Sequence, residues 1–521
     1  MSVVSRRNMF GACVGLLLFG FWNEHASAWQ FGGGAQGAKR ARANPRDATA
    51  SLEKRVAQEK EGRELFVRDW SKLDSKPAPG GDGLGPMFNE VSCVACHEQG
   101  GTGGGGSVQK NVRLLHLVAV TGAPLRTTVT TETNQKTRLQ VHPDLSGVTS
   151  LVLHRHQFKD GAELSEYQTW LGQRLPRHLV DRGFHLPLAG DAMVPAMANR
   201  SETPSNLHRV EGLPVRMTER NTPALFGAGL IDLIPDSAIV EQAERQKKHN
   251  APLITGRVPT NASGEIGRFG WRGQVSSLKE FVMTACSVEL GLNVPNHQQA
   301  RSVVAREKVF EAVGENGRRF VAAKLDLTQE QCDSLTEYVA NLPAPQMARS
   351  ANLNQAKSIQ RGSSLFEKVG CAVCHVPDVG GVTGLFSDLL LHDMGPNLSD
   401  PLPAIPELDE RITPGNGSAY GQSFRIELVK NITTNIHQEW RTPPLWGAGS
   451  SAPYLHDGRA ATLDQAIQAH GGEGQRSAEA FRSLKPDERR ELTDFLRSLA
   501  APGDEPVRMP RSGGGGGGGF F

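Results

Sequence analysis

The chain has 521 residues, 38% of them hydrophobic, enough to build real cores in two or three domains rather than a disordered polymer. Its 57 basic and 55 acidic residues leave a formal charge of +2, with Lys and Arg scattered rather than clustered. That balance gives no reason to expect nucleic acid as a partner, and net charge does not identify the partner.

In chain order, the first thirty residues read as an export signal. Basic Arg6 and Arg7 precede an apolar stretch from Met9 to Phe21, and Ala26-Ser27-Ala28 is a small-residue cleavage site. This predicts a signal peptide at 1–28, a mature chain starting at Trp29 and a periplasmic location. A membrane anchor is the competing reading, but the stretch, interrupted by Cys13 and glycines, is shorter than a bilayer-spanning helix requires. No other segment reads as transmembrane. Residues 29–60, rich in Gly, Ala, Gln, Arg and Lys, read as a flexible N-terminal segment, and residues 503–521, ending in Gly513 to Gly519 and two phenylalanines, as a disordered tail.

Two pentapeptides of the form Cys-x-x-Cys-His come next, Cys93-Val94-Ala95-Cys96-His97 and Cys371-Ala372-Val373-Cys374-His375. On a helical turn, Cys at i and i+3 lie on one face, so both thiols can form thioethers with the vinyl groups of one porphyrin while His at i+4 ligates its iron. Chance predicts about 0.003 such pentapeptides in a chain of this composition. Two copies therefore predict two covalently bound haems c. A zinc site would need further ligands, and a redox dithiol would not need the histidine. Cys286 and Cys332 remain outside these motifs and the leader; in an oxidising compartment they are expected to pair, the other reading being two buried thiols.

The chain repeats itself. Leu327 through Pro345 parallels Leu484 through Pro502, with Leu335/Leu492, Tyr338/Phe495 and Leu342/Leu499 in register. Both are expected helices, since Leu335, Tyr338, Val339 and Leu342 form an apolar stripe, with Thr328 as N-cap in one and Pro486 in the first turn of the other. Thr222 through Gly229 likewise parallels Thr442 through Gly449, and Gly273 through Leu278 parallels Gly458 through Leu463. The separation between copies falls from 278 at the haem motifs to 220 and then 157, so the first unit carries extra sequence. Much of it lies at about 110–210, where Val112–Val120, Thr137–Val141 and Ser150–Leu153 are strand-like runs. The expected fold is mainly α: two tandem cytochrome-c-like haem domains, 61–345 and 346–502, the first enlarged by a β-rich insertion.

These residues carry a resemblance. Gly83 through Asn89, Arg220 through Gly227, Phe269-Gly270-Trp271, Ser387 through Gly395 and Arg441 through Gly447 resemble the di-haem c-type oxidoreductases (peroxidase-like, thiol oxidoreductase-like) of the bacterial di-haem cytochrome c peroxidase superfamily. In its peroxidases a segment similar to Pro453 through Gly458 is followed, fourteen residues after its histidine, by a methionine ligating the C-terminal haem. Here His470 stands at that place, which implies a bis-histidine haem, His375 and His470, of lower potential than a His/Met iron. The other reading of His470 is a helix-end residue before Gly471-Gly472.

For the N-terminal haem the sequence leaves His116, His142, His154, His156, His178 and His185 open as sixth ligands. The resemblance implies an open position for peroxide beside an acid–base group; Glu289, 18 residues after Trp271, is the candidate, a solvated helix-end Glu the alternative. Trp271 is the implied bridge for electrons between haems or a packed core residue. Arg441 and Trp446 are candidates to line the second haem pocket, with Arg441 balancing a propionate or sitting at a domain interface. His392-Asp393-Met394 offers another ligand set, or a loop buttressing the haem.

The resulting expectation is an exported di-haem oxidoreductase. Electrons pass from a small redox protein through the bis-His haem to an N-terminal haem that reduces peroxide or another small oxidant. Its competitor is an electron-transfer cytochrome with two six-coordinate haems and no chemistry of its own. A homodimer and a calcium ion between the haem domains are further implications of the resemblance, the calcium without a ligand motif in this chain.

Overall fold

A computed structural model describes residues 45–72, 81–117, 150–157, 208–249, 253–300, 311–313, 319–321, 325–348, 352–400 and 436–502, apart from a few single positions. The expected signal peptide, the C-terminal tail, the run Thr137–Val141 and His142, His178 and His185 lie outside them. The chain divides into two compact units, Met1–Lys54 and Arg55–Phe521; of the first, only the start of helix α1 (Pro45–Val67) is described. Both Cys-x-x-Cys-His motifs belong to the second unit.

Two helix pairs carry its architecture. Helix α1 meets α5 (Gln329–Ala340), and α6 (Leu353–Lys368) meets α9 (Pro486–Ser498). Each pair closes on a glycine. A Cβ on Gly62 would lie 2.0 Å from the Ser334 carbonyl oxygen, and one on Gly362 2.0 Å from that of Glu491, so only glycine lets the backbones approach this closely. Leu65, Phe66, Leu335, Tyr338 and Val339 belong to one apolar cluster, and Leu365, Phe366, Leu492, Phe495 and Leu496 to another. Each such buried Leu or Phe stabilises by about 1.5–3 kcal/mol. The expected caps are present. Thr328 and Gln331 form a reciprocal capping box on α5, and Pro486 opens α9.

In the chain between α1 and α5 come α2 (Ala228–Asp232), α3 (Asp236–His249) and α4 (Leu278–Glu289), the last capped by Ser277 Oγ accepting from the Glu280 amide at 3.3 Å. Helix α4 buries Phe281, Val282, Met283 and Cys286. Short helices α7 (Leu463–Gln468) and α8 (Gln475–Ser483) precede α9.

The β structure is modest. Strands β2 (Val112–Leu117), β3 (Ser150–Val152), β5 (His208–Val210) and β6 (Leu213–Arg220) form an antiparallel sheet ordered β3-β2-β6-β5, with Leu114 opposite both Val152 and Thr218. Two expected strand runs, from Val112 and from Ser150, thus lie side by side. Strand β1 (Met87–Phe88) pairs with β4 (His156–Gln157), β7 (Glu311–Val313) with β8 (Arg319–Val321), and β9 (Leu391–Asp393) with β10 (Glu439–Arg441).

The two copies of the Thr-Pro motif pack against each other. Gly227, at φ +69°, faces the Trp446 ring, where a Cβ would lie 2.3 Å from a ring carbon, while a Cβ on Gly447 would meet the Phe226 ring at 3.5 Å.

Candidate haem sites

Each Cys-x-x-Cys-His segment forms a single helical turn, the His97 amide donating to the Cys93 carbonyl at 3.0 Å and the His375 amide to that of Cys371 at 3.0 Å. Both cysteines and the histidine of each motif line a common cavity. Burial pushes the thiols of Cys93 and Cys371 up to about 12 and holds His97 and His375 down at about 4. All four groups are therefore neutral at physiological pH.

The first cavity is bounded by Phe66, the motif, Asn221 through Pro223, and the α4 side chains Phe281, Val282, Cys286 and Glu289. His97 Nδ1 donates to the Gly104 carbonyl at 3.1 Å, which leaves Nε2 as the ligand atom. Glu289 has one carboxylate oxygen, Oε2, bound to Asn89 Nδ2 at 2.6 Å; Oε1 is buried without a hydrogen-bond partner among the described residues. Desolvation raises this carboxyl to about 7, against the Asn89 hydrogen bond and the Arg155 charge.

None of His116, His154 and His156 lines this cavity. His116 Nε2 bonds Thr218 Oγ1 at 2.6 Å, His154 Nε2 the Val288 carbonyl at 2.9 Å, and His156 stacks on Phe88. The expected disulfide is not formed: Cys286 and Cys332 are buried free thiols. Cys286, on α4, lines the first cavity beside Cys93.

The second cavity holds Cys371, Cys374 and His375 together with His470, Trp271, Met394, Trp440, Arg441 and Trp446. His375 Nδ1 donates to the Phe386 carbonyl at 2.9 Å and His470 Nδ1 to that of Ala466 at 2.8 Å. Both imidazoles thus offer Nε2 to the same space. Helix α7 ends at Gln468, and that end sets His470 in place.

The buried Arg441 side chain donates from Nε to the Gly270 carbonyl at 3.0 Å and keeps its charge, although burial lowers it to about 10. The Trp446 indole N–H is buried without a partner among the described residues. Trp271, half-buried, donates from Nε1 to the Asn221 carbonyl at 2.9 Å, and its own carbonyl accepts from the Arg441 amide. Asn221, Thr222, Pro223, Leu225 and Phe281 line both cavities and form their common wall.

His392, Asp388 and Cys374 bring their ligand atoms within 4.8 Å of one another. However, both ring nitrogens of His392 are engaged, Nε2 by Asp388 at 2.9 Å and Nδ1 by Glu473 at 2.5 Å. The imidazole is held as a strut against Cys374, and Asp393 Oδ1 takes the Gly395 amide.

Two features escaped sequence reasoning. Gly62-x-x-Leu65-Phe66 and Gly362-x-x-Leu365-Phe366 form a further repeat, and Phe66 and Phe366 each lie 6.3 Å from their motif histidine, centroid to centroid. Asp400, 2% exposed, takes both Arg220 and Arg272, and the two guanidiniums lie over Trp440, itself stacked on His456 at 3.6 Å. The glycine repeat was visible as a pattern; the Asp400 cluster joins residues too far apart in sequence to leave one.

These residues fit a haem at each motif: imidazole Nε2 atoms facing the cavity, neutral thiols at the attachment spacing, apolar walls, and buried polar atoms without partners among the described residues (Glu289 Oε1, Trp446 Nε1). Comparison with known proteins agrees. The chain is 30% identical over 163 residues to the hydrazine synthase gamma subunit of Kuenenia stuttgartiensis (29% of this chain, 43% of that one). It is 26% identical over 251 residues to the cytochrome-c peroxidase IdrP1 of Pseudomonas sp. strain SCT (46% and 66%), and 28% over 148 residues to the methylamine utilization protein MauG of Methylorubrum extorquens (27% and 34%). The chain spans less than two thirds of each of these relatives. Among solved structures, Kuenenia stuttgartiensis hydrazine synthase under xenon aligns with 54% of this chain and 72% of its own at 18% identity and a TM-score of 0.29. A MauG-like protein associated with microbial copper homeostasis aligns at 18% identity and 0.21, over 33% and 52%. The model of one family, described as "Di-haem oxidoreductase, putative peroxidase", matches residues 32–143, 191–407 and 430–499. Most of its length is matched, and the chain belongs to this di-haem oxidoreductase family.

Proposed function

We propose that this chain is an exported, periplasmic di-haem c-type cytochrome in two tandem haem domains that reduces peroxide or a similar small oxidant at its N-terminal haem. Cys93 and Cys96 would hold that haem with His97 as its ligand. Cys371 and Cys374 would hold the second, with His375 and His470 on its two faces. The observation that carries the reading is the buried Glu289 carboxyl, which lines the Cys93–His97 cavity, has Oε1 without a partner among the described residues and is pushed up to about 7 by desolvation. A desolvated carboxyl in a cavity beside a redox centre is the kind of group that moves protons in catalysis.

Bound haems would supply the electron storage and the site where the oxidant meets iron. The chain supplies the proton traffic. One peroxide, two electrons and two protons give two waters, and the O–O bond breaks more easily when the departing oxygen is protonated. Glu289 Oε1 takes the proton of the nearer peroxide oxygen and returns it to the farther one, a role worth about 10²–10⁴ in rate. Phe66, Val282 and Leu335 give the cavity apolar walls on the side of the helices. Electrons arrive from a small redox protein at the second haem and cross the wall of Asn221 through Pro223, which Trp271 grips.

The test is an electron paramagnetic resonance spectrum of the oxidised protein with and without peroxide. A high-spin signal that responds to peroxide is expected; two low-spin signals indifferent to it would overturn the reading in favour of a pure electron-transfer cytochrome.

A further inference from the structure

Glu289 needs something to aim it. Asn89, 3% exposed and four residues before Cys93, makes three bonds that determine its own orientation and that of the acid. Its backbone N–H donates to the Glu289 carbonyl at 2.7 Å, tying the loop to the end of α4. Its Oδ1 accepts the Arg155 amide at 3.0 Å. An amide side chain has its acceptor at one end and its donors at the other, so with Oδ1 on an N–H the amino group must face Glu289. There Nδ2 donates to Oε2 at 2.6 Å.

The clamp continues into the inserted segment. His156 pairs with Phe88 across β4 and β1, and His154 donates to the Val288 carbonyl. Three successive residues of the insertion, His154, Arg155 and His156, thus hold Asn89, its neighbour Phe88 and the last turn of α4.

We propose that Asn89 is a positioning residue for Glu289: it occupies Oε2 so that Oε1 alone exchanges protons with the Cys93–His97 cavity, and the inserted segment 150–157 holds Asn89 in that role. The inference rests on the reading of Glu289 as the acid–base group.

The charged and titratable neighbours are engaged or neutral: Arg220, which also lines the cavity, is paired with Asp400, and burial keeps the Cys96 thiol neutral. The Arg155 guanidinium is spent on the carbonyls of Gln109 and Asn111, and Glu90 is paired with Lys110. Asn89 is therefore the direct hydrogen-bond donor to the carboxylate, opposing the desolvation that holds it near 7. Removing that donor, or replacing it with a second carboxylate, disfavours the charged form and moves the titration to higher pH.

The experiment compares the unaltered holoprotein with Asn89→Ala, Asn89→Asp and Glu289→Gln. One readout is an infrared pH titration of the Glu289 carboxyl band, identified by its loss in Glu289→Gln. The other is the pH dependence of single-turnover reaction with hydrogen peroxide. In both Asn89 variants the infrared midpoint and the rising limb of the rate should move together by about one pH unit or more to the alkaline side. The rate at neutral pH should fall about tenfold, with the low-spin signal of the second haem unchanged.

A rate loss without any movement of midpoint or limb marks a merely structural contact and overturns the proposal, as does an unmoved midpoint in the near-isosteric Asn89→Asp. Full peroxide reactivity in Glu289→Gln overturns the functional reading, and the proposed role with it. The infrared midpoint separates these failures, because it reports the hydrogen bond without any peroxide chemistry.

Discussion

The two cavities share their anchors and differ in what caps them. Each has one helical turn of Cys-x-x-Cys-His, a histidine tied through Nδ1 to a carbonyl, and a Gly-x-x-Leu-Phe helix whose phenylalanine approaches that histidine. The first is covered by α4 and its half-satisfied carboxylate, the second by the end of α7 and a second imidazole. Duplicated anchors can thus serve unequal chemistry: the part that holds a cofactor is local, while the part that decides its open face comes from another helix.

That contrast can be broken most severely at the first cavity. Glu289→Gln should lower the single-turnover rate with peroxide by about 10² or more while leaving the second haem's spectrum intact. On the proposed mechanism the competent form in the unaltered protein is the carboxylate. The rate should therefore rise as pH increases through about 7 and become flat in the Gln variant; a Gln variant with the original profile would remove the chemical difference between the cavities.

A smaller change is expected at the second cavity. His470→Met exchanges imidazole for thioether and should raise the potential of that haem, measured by spectroelectrochemistry, without moving the other. An unaltered low-spin spectrum and potential would show that His470 is not a ligand.

The smallest effects come from the shared scaffold. Gly62→Ala and Gly362→Ala each force a helix pair apart at a backbone contact and should cost about 1–3 kcal/mol in thermal unfolding. If the two cavities are supported alike, Gly62→Ala perturbs the His97 haem spectrum and Gly362→Ala that of His375; a reversed pattern would mean that the helix pairs do not support the motifs they precede.

Much of the fold was legible in the sequence. Thr328 at α5 and Pro486 at α9 follow from capping chemistry, which acts within one turn. The strand runs at Val112 and Ser150 were also readable, though not that β6, far along the chain from β2, lies against it. His470 was found through the family resemblance, at the place where its peroxidases carry a methionine, and the structure places it in the cavity of His375. Asn89 was visible only as part of a motif, because its partner Glu289 lies 200 residues away. Cys286 and Cys332 stay free thiols, because residue type and compartment say that thiols can pair, whereas packing decides whether they do.

The sequence by itself determined the two Cys-x-x-Cys-His motifs, the repeat and the caps of α5 and α9, since i, i+3 and i+4 geometry and end caps depend on neighbours a turn away. Only the tertiary structure decided what holds the candidate groups, Asn89 on Glu289 and the Ala466 carbonyl on His470, and that one wall from Asn221 to Pro223 separates the two cavities. Burial and long-range contact set the protonation and the aim of those groups. Neither is written in any single stretch of chain.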